Sequence, residues 1–291
     1  MQSKLSTVRA FTKKKSPYSR IKMQHTLQDA SRTRTDEEFS SFQLDWINKH
    51  LPGMKGDAIS VIYCQMDGNQ MIAGTHKNAY INMPANELDI YRSVQHLDVI
   101  RLAALRNIGT AIFNTDFYSL KAWPEQPMYK GYYETLGLLQ TVSVAYAIPF
   151  HNNLRFQFTY FKAKGSEFEK NLTKDEIEYL SIPFYYLWAQ RWGIIDEGTC
   201  QRWLHLMSGM NPTQLFLLRD LIAQPRYSLS LIAKNFQINP RMVNHFYIQC
   251  YDKILDALET KNQIEGNASK IVDLAQAFNF LQFVGGYRPR N

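Results

Sequence analysis

Residues 154–161 read LRFQFTYF and alternate strictly between apolar and polar side chains. The even positions, from Leu154 to Tyr160, carry aliphatic or aromatic groups, and the odd positions, from Arg155 to Thr159, carry polar ones. Successive side chains of a strand point to opposite faces of a sheet. The pattern therefore predicts a strand of an antiparallel sheet that has one covered face.

Neighbouring segments extend this sheet. Residues 58–64 and 141–148 alternate in the same way, and Asp67-Gly68 is typical of a hairpin that returns over residues 70–75. Four segments around the strands have helical features, and they are 35–51, 84–107, 129–138 and 173–192. The first and the last begin at capping boxes. Residues 36–195 are thus predicted to form an α+β domain with a central antiparallel sheet, a layout shared by PAS, GAF and autoinducer-binding sensor modules.

Charge divides the chain of 291 residues into three parts. Residues 1–35 hold nine Lys or Arg against one acid and are predicted to be a mostly disordered basic tail. Residues 205–285 have helical signals only and are predicted to form an all-α domain. The basic ends favour a polyanionic partner, and the stretch between them is net acidic.

Several classes of protein are disfavoured by composition. No apolar run reaches roughly 18 residues, so a transmembrane helix is not expected. The three cysteines lie far apart and offer neither a disulfide framework nor zinc spacing, which favours a cytoplasmic protein. Glycine-rich nucleotide motifs, nucleophile elbows and paired histidines are missing from the sequence. We therefore predict no catalytic residues, no metal, no cofactor and no enzymatic activity.

Residues 212–258 predict two short helices joined by a tight turn. Ser228 and Asn239 stand at the two N-cap positions, and Pro240 opens the second helix. This is the pattern of a helix-turn-helix, whose second helix enters the major groove of double-stranded DNA. Arg, Asn and Gln side chains read base edges, whereas Lys and Tyr bind phosphates. The candidate DNA-binding residues are Ser228, Asn239, Arg241, Asn244, His245, Tyr247, Gln249 and Lys253.

Residues 228–254 resemble the DNA-binding domain of LuxR-type transcription regulators. The residues that match the family's pattern at the correct spacing are Ser228, Ile232, Ala233, Ile238, Val243 and Lys253. Asn244 and Phe246 stand where the family has Lys and His. The resemblance implies a homodimer that binds double-stranded DNA, with contacts through the predicted helix at 269–280. It also implies a sensor domain at 36–195 that responds to a small-molecule signal, as in quorum sensing.

Aromatic residues of the middle segment are the candidates for contact with such a signal. Ligand pockets are commonly lined by aromatic groups with a few polar anchors. The candidate ligand-binding residues are Tyr63, Asp116, Trp123, Tyr146 and Phe158. The same aromatic residues would also serve to fill a core.

Two other functions remain open at this stage. In one, the helix-turn-helix no longer binds DNA, and the protein regulates by binding a protein partner. The long helix at 174–192, which is apolar on nearly all sides, would dock that partner or form a dimer interface. In the other, the α+β domain is a small-molecule enzyme that has a buried, pKa-shifted pair in a pocket.

Overall fold

The computed structural model describes residues 23–67, 70–72, 77–84, 86–107, 109–148, 151–169, 172, 174–194, 196–198, 200, 239, 241–242 and 245. One compact unit spans Ala30–Ser181 and is called the sheet domain below, and the described residues outside this range belong to a second unit. Most of the predicted helix-turn-helix and all-α domain lies outside the described residues. The bounds of the α+β domain predicted for residues 36–195 stay a prediction, since the sheet domain ends at Ser181.

Two helices precede the first strand. Helix α1, Met23–Ser31, lies in the segment predicted to be mostly disordered, so that prediction is wrong for these nine residues. Helix α2, Asp36–His50, begins at Thr35 as predicted. The Glu38 amide donates to the Thr35 hydroxyl at 3.1 Å, and the Thr35 amide donates to the Glu38 carboxylate at 3.4 Å. This reciprocal capping box satisfies two amides that the first turn leaves without helical partners.

The sheet is antiparallel, as its alternating segments predict, and it has six strands in the described part of the chain, of which β3 and β4 are not predicted from the sequence. The strands are β1, Ala58–Asp67; β2, Gln70–Met71; β3, Lys77–Ile81; β4, Ile112–Phe113; β5, Leu138–Ile148; and β6, His151–Ala163. Their order is β2-β1-β6-β5-β4, and β3 pairs with β1 on the same side as β2. The two longest strands, β5 and β6, pair along most of their length and form the centre of the sheet.

The segment at 84–107 is predicted as one helix, and the structure divides it. Helix α3, Glu87–Val94, continues into a 3₁₀ turn over Gln95–Leu97, and helix α4 then spans Val99–Arg106. Asp98 has a non-helical backbone, and its side chain accepts a hydrogen bond from the Arg101 amide at 2.9 Å. Asp98 is therefore an N-cap that restarts the helix in a new direction.

One face of the sheet carries the aromatic side chains predicted to share it. Phe156, Phe158 and Tyr160 are fully buried there, in register with Tyr63, Val61 and Ile59 of β1. Helix α2 packs on this face, where Gln43 donates to the Tyr160 hydroxyl at 2.9 Å. The beginning of helix α5, Lys174–Arg191, lies nearby, because the Tyr146 hydroxyl donates to the Glu178 carbonyl at 2.6 Å.

The opposite face of the sheet is covered as well, which corrects the prediction of one covered face. Arg155, Gln157 and Thr159 are 6%, 1% and 9% exposed. Helix α4 packs against β5 and β6 on this side. It is joined there by α3 and by a π-helical turn at Tyr129–Tyr133, close to the predicted short helix. The polar positions of the alternation therefore face a covered interior and not solvent.

Helix α5 confirms the long helix predicted from the second capping box. It includes Pro183, and every residue from Pro183 to Ala189 is buried. Tyr185 and Tyr186 meet edge to face with ring centroids 5.0 Å apart. No helix in the described part of the chain combines the length and the apolar character needed to cross a membrane.

Candidate functional site

A cavity of about 420 Å³ lies inside the sheet domain, between the polar face of the sheet and the layer formed by α3, α4 and the π-helical turn. Its volume falls within the range of about 300–1,000 Å³ that is typical of small-molecule sites. The sheet supplies the floor of the cavity, whose residues are Ser60, Ile62, Asn78, Ser143, Gln157, Thr159 and Phe161. The helical layer supplies the roof, whose residues are Glu87, Leu88, Tyr91, Arg92, Gln95, Asp98, Arg101, Tyr132 and Tyr133.

The floor is unusually polar for a buried sheet face. Ser60, Thr159 and Ser143 are neighbours across β1, β6 and β5, and the hydroxyls of Ser143 and Thr159 are hydrogen-bonded at 2.9 Å. Gln157 lies in the next row between Ile62 and Ala145. Its Oε1 is buried and has no hydrogen-bond partner among the described residues. An unpaired buried acceptor is unfavourable unless something supplies a donor.

The roof holds two buried carboxyl groups. Glu87 is 4% exposed and accepts a hydrogen bond from the Tyr132 hydroxyl. Asp98 is 5% exposed and accepts one from the Tyr91 hydroxyl at 3.0 Å, in addition to its role as the cap of α4. The guanidinium carbon of Arg101 lies 5.0 Å from the centroid of the Tyr91 ring, which is a cation–π geometry.

Burial controls the titration of these groups. Removal from water raises the pKa of Glu87, although the hydrogen bond from Tyr132 and the charge of Arg101 oppose this effect. Burial also raises the pKa of Asp98, against hydrogen bonds from the Arg101 amide and from Tyr91. The pKa of Tyr132 is raised well above its ordinary value by burial and by Glu87, so Tyr132 keeps its proton and donates it.

The roof is positioned by close packing of the π-helical turn against α3. A Cβ atom added at Gly131 would lie 2.7 Å from Cγ1 of Val94, so the Val94 side chain would have to shift to accept one. Glycine therefore lets Tyr132 come near Glu87 and Tyr91, with the Tyr91 and Tyr132 rings 5.2 Å apart. The π turn and helix α3 thus act together as one wall of the cavity.

Three of the five predicted ligand residues lie on the other face of the sheet. Tyr63, Tyr146 and Phe158 point away from the cavity, toward the side where α2 packs. Tyr63 contacts Phe156 with ring centroids 5.3 Å apart, and Tyr146 contacts Phe158 at 5.9 Å. These contacts belong to a packed aromatic core, which is the second interpretation that the sequence left open.

The other two predicted ligand residues also lie outside the cavity wall. Asp116 is exposed, accepts a hydrogen bond from the Phe113 amide at 2.9 Å and forms a salt bridge with Lys174 at 2.6 Å. Trp123 is 1% exposed and packs behind Tyr133, with ring centroids 5.0 Å apart. The structure therefore does not bring the five residues together, and ligand contact by any of them stays a prediction.

Sequence reasoning missed the residues that line the cavity. The polar half of the strand alternation, Gln157 with Thr159, was interpreted as a solvent-facing side of the sheet. Helices predicted both before and after the strands were a signal that two faces would need cover. Asp98 and Arg101 lie three residues apart within residues 84–107, a segment whose helical periodicity predicts a single helix.

Few of the predicted DNA-binding residues are described. The Asn239 side chain accepts a hydrogen bond from the Arg241 amide at 2.9 Å, which confirms its predicted position as an N-cap. Arg241 and His245 are exposed. Ser228, Asn244, Tyr247, Gln249 and Lys253 lie outside the described residues. Contact with DNA by these residues stays a prediction.

Metal binding has no candidate site in the described part of the chain. No three His, Cys, Asp or Glu residues come together there in a group that could hold an ion. Cys64 and Cys200 are both buried as free thiols, and burial raises the pKa of each. The chemistry of the cavity is therefore that of carboxyl, amide, hydroxyl, guanidinium and phenol groups.

Replacing Gln157 with Leu is expected to raise the free energy of unfolding of the ligand-free protein by about 1–3 kcal/mol, because it removes an unpaired buried acceptor. The matched control is Gln43→Leu on the other face, where the fully buried side chain donates to Tyr160. This control is expected to destabilise by a similar amount. Urea unfolding of both variants measures these changes. A loss of stability in Gln157→Leu would contradict the statement that Oε1 of Gln157 is an unpaired buried acceptor.

No protein-family model matches the chain, and no curated protein matches its sequence. Among solved structures, a crystal structure of Escherichia coli SdiA matches with a TM-score of 0.39 at 15% identity, covering 89% of this chain and 97% of that one. A complex of SdiA with octanoyl-rac-glycerol matches with the same TM-score and identity, covering 89% of this chain and 94% of that one. A likeness this distant assigns neither family nor function, so the function proposed below rests on the cavity and on the sequence.

Proposed function

We propose that the chain is a LuxR-type transcription regulator of the cytoplasm. In this proposal, residues 36–195 hold a small-molecule signal in the cavity of the sheet domain. Residues 205–285 bind double-stranded DNA as a homodimer, and the occupied cavity changes the activity of the DNA-binding part. The protein works by binding and not by catalysis.

The observation that carries this proposal is the cavity whose wall contains buried polar side chains. Gln157 is 1% exposed at its floor, and Glu87 and Asp98 are 4% and 5% exposed at its roof. Buried polar groups are unfavourable unless they are hydrogen-bonded, and Oε1 of Gln157 has no partner among the described residues, so a core alone would favour an apolar residue at that position. A site that must recognise a small molecule explains why polar groups converge on this cavity.

The DNA-binding half of the proposal is supported by the sequence and by the described residues near Asn239. The segment 228–254 has the apolar spacing of a LuxR-type helix-turn-helix. Asn239 caps the start of the predicted recognition helix, and Arg241 is exposed two residues later. An exposed Arg in the first turn of a recognition helix suits paired hydrogen bonds to guanine.

Enrichment of genomic DNA fragments by the purified full-length protein tests the proposal. We expect a shared, roughly palindromic site, because a symmetric dimer reads two half-sites. The double variant Arg241→Ala/Asn244→Ala should lose that site. Arg241→Ala alone should weaken binding to it by about 1–3 kcal/mol if Arg241 reads a base.

The matched control is Lys121→Ala, which removes one exposed positive charge from the sheet domain and should leave the enriched site unchanged. Binding to the site should also weaken steeply as salt concentration rises. If no site is enriched by the wild-type protein, the helix-turn-helix does not read DNA. The alternative, a regulator that binds a protein partner, would then replace the proposed function.

A further inference from the structure

We propose that the cavity of the sheet domain selects a small organic amine. The protonated amino group pairs with the carboxylate of Glu87, and a second hydrogen-bond donor of the same molecule binds Oε1 of Gln157. This inference rests on the signal-binding role proposed above and names the chemical class of the signal. The two contacts come from Glu87 in the roof and Gln157 in the floor, so the bound molecule spans the cavity.

The balance of charge in the roof is the first argument. Two carboxyl groups, Glu87 and Asp98, are buried there with one buried cation, Arg101. Glu87 forms no salt bridge within the described part of the chain, and its side chain accepts a hydrogen bond only from the neutral hydroxyl of Tyr132. Buried charges are normally paired, so a cation from outside the protein would complete the set.

The other basic residues near the cavity do not supply that cation. Arg155 is buried on the same face of the sheet but does not line the cavity. Arg92 lines the cavity, but its side chain is 54% exposed and its guanidinium forms a salt bridge with Asp89 at 3.2 Å. Arg101 acts electrostatically on Asp98 as well as on Glu87, and it lies over the Tyr91 ring. One negative charge in the roof is thus in excess when both carboxyl groups are ionised.

The aromatic residues of the roof are the second argument. Tyr91, Tyr132 and Tyr133 line the cavity, and Tyr132 lies 5.2 Å from each of the other two rings. Tyrosine rings attract cations through their electron-rich faces. An ammonium group beside Glu87 would be attracted by the faces of these rings. An anionic ligand would be repelled by the ring faces and by the carboxylate of Glu87.

Gln157 is an independent sign that a ligand enters. Its side chain is 1% exposed, lines the cavity and holds an acceptor without a partner among the described residues. Oε1 itself is buried below the cavity surface, so a rotation of the Gln157 side chain would present this acceptor to a hydroxyl or N–H group of the ligand. The amine is therefore expected to carry a second donor, as an amino alcohol or a phenolic amine does.

Calorimetric titration of the full-length protein with matched probes tests the inference. The probes are 4-hydroxyphenylalkylamines with chains of one to four methylene groups, and each is paired with the alcohol that replaces the amine by a hydroxyl. We expect at least one amine to bind at pH 7.5 more tightly than its alcohol by about tenfold or more, since hydrogen bonds to charged groups contribute the most.

Substitutions separate the two contacts. Glu87→Gln keeps an acceptor for Tyr132 and should abolish the preference for the amine, whereas Asp89→Asn, an exposed carboxylate on the same helix, should leave it unchanged. Gln157→Leu should weaken the phenolic amine but not the phenylalkylamine that lacks the hydroxyl. Circular dichroism of each variant confirms that it remains folded.

The pH dependence gives a readout that a structural role of Glu87 would not produce. Burial raises the pKa of Glu87 in the empty cavity, and protonation removes the charge that the amine needs. The amine itself stays protonated below about pH 9, because free alkylamines titrate near the Lys value. The affinity should therefore fall as the pH falls through the raised pKa, and Glu87→Gln should be insensitive to this change.

Two outcomes would overturn the inference. If the alcohols bind as tightly as the amines, and Glu87→Gln binds both equally well, the cavity still takes a small molecule but does not select a cation. The proposed function then stands without this ligand class. If neither amines nor alcohols bind, selection of amines is wrong, and the DNA-enrichment experiment decides the proposed function separately.

Discussion

Replacing Asp98 with Ala is expected to lower the free energy of unfolding by about 2–5 kcal/mol, because a lost N-cap contributes about 0.5–2 kcal/mol and an unsatisfied buried donor about 1–3 kcal/mol. The substitution removes the acceptor for the Tyr91 hydroxyl and for the Arg101 amide. It also removes the carboxylate that caps helix α4, and α4 carries the buried side chain of Arg101. Equilibrium unfolding in urea, followed by circular dichroism, measures the loss.

A second substitution shows whether the loss arises from the charge of Arg101. In the Asp98→Ala background, where Glu87 is the remaining buried carboxyl group near Arg101, Arg101→Met removes the guanidinium but keeps an apolar side chain of similar length. We expect the loss in the double variant to differ from the sum of the losses in Asp98→Ala and Arg101→Met, because the effects of neighbouring groups in one network are not additive. Asp89→Ala serves as the control, since its salt bridge to Arg92 is exposed and should contribute at most about 1 kcal/mol. A loss below about 1 kcal/mol in Asp98→Ala would contradict the network.

The sheet could be predicted from sequence because each strand repeats a local pattern. Alternation over Leu154–Phe161 and the hairpin signal at Asp67-Gly68 depend only on neighbouring residues, and β6 and β2 lie where these signals predict. The capping box at Thr35 is equally local, and it starts α2 as expected. Such features are determined by residues at most a few positions apart.

The cavity could not be predicted in the same way, because its residues come together only through the topology of the sheet. Ser60, Ser143 and Thr159 lie far apart along the chain, and pairing of β1, β6 and β5 places them side by side. A polar residue of an alternating strand gives the same local signal whether it faces water or a covered cavity. The cover comes from Asp98, which turns one predicted helix into two and brings α4 onto the sheet.

The aromatic residues illustrate the same limit. Tyr146 and Phe158 have the composition of a ligand pocket, yet cross-strand pairing and α2 place them in the core of the opposite face. Spacing along a strand determines which residues share a face of the sheet. It does not determine which of the two covered faces borders a cavity. The polar face was the informative one, because buried polar groups need partners, whereas buried aromatic groups are ordinary.

Replacing Trp123 with Ala is expected to lower the free energy of unfolding by about 3–5 kcal/mol, as for other buried Trp residues cut back to Ala. Trp123 packs against Tyr118 and Tyr133 with ring centroids 5.4 and 5.0 Å apart. Its indole N–H donates to the Leu139 carbonyl at 2.8 Å. Phe117→Ala is the control, because Phe117 lies in the same segment but is 46% exposed and should change stability by at most about 0.5 kcal/mol.

Trp123→Phe distinguishes a packing role from the ligand contact that the sequence predicts for this residue. Phe keeps most of the ring but loses the donor to Leu139, so we expect a moderate loss of stability of about 1–3 kcal/mol. Since Tyr133 stands between Trp123 and the cavity, the affinity of the folded variant for the probe amine should change little. A large change in affinity at unchanged stability would instead place Trp123 in contact with the ligand. The wall at Tyr133 would then have to open when the ligand binds.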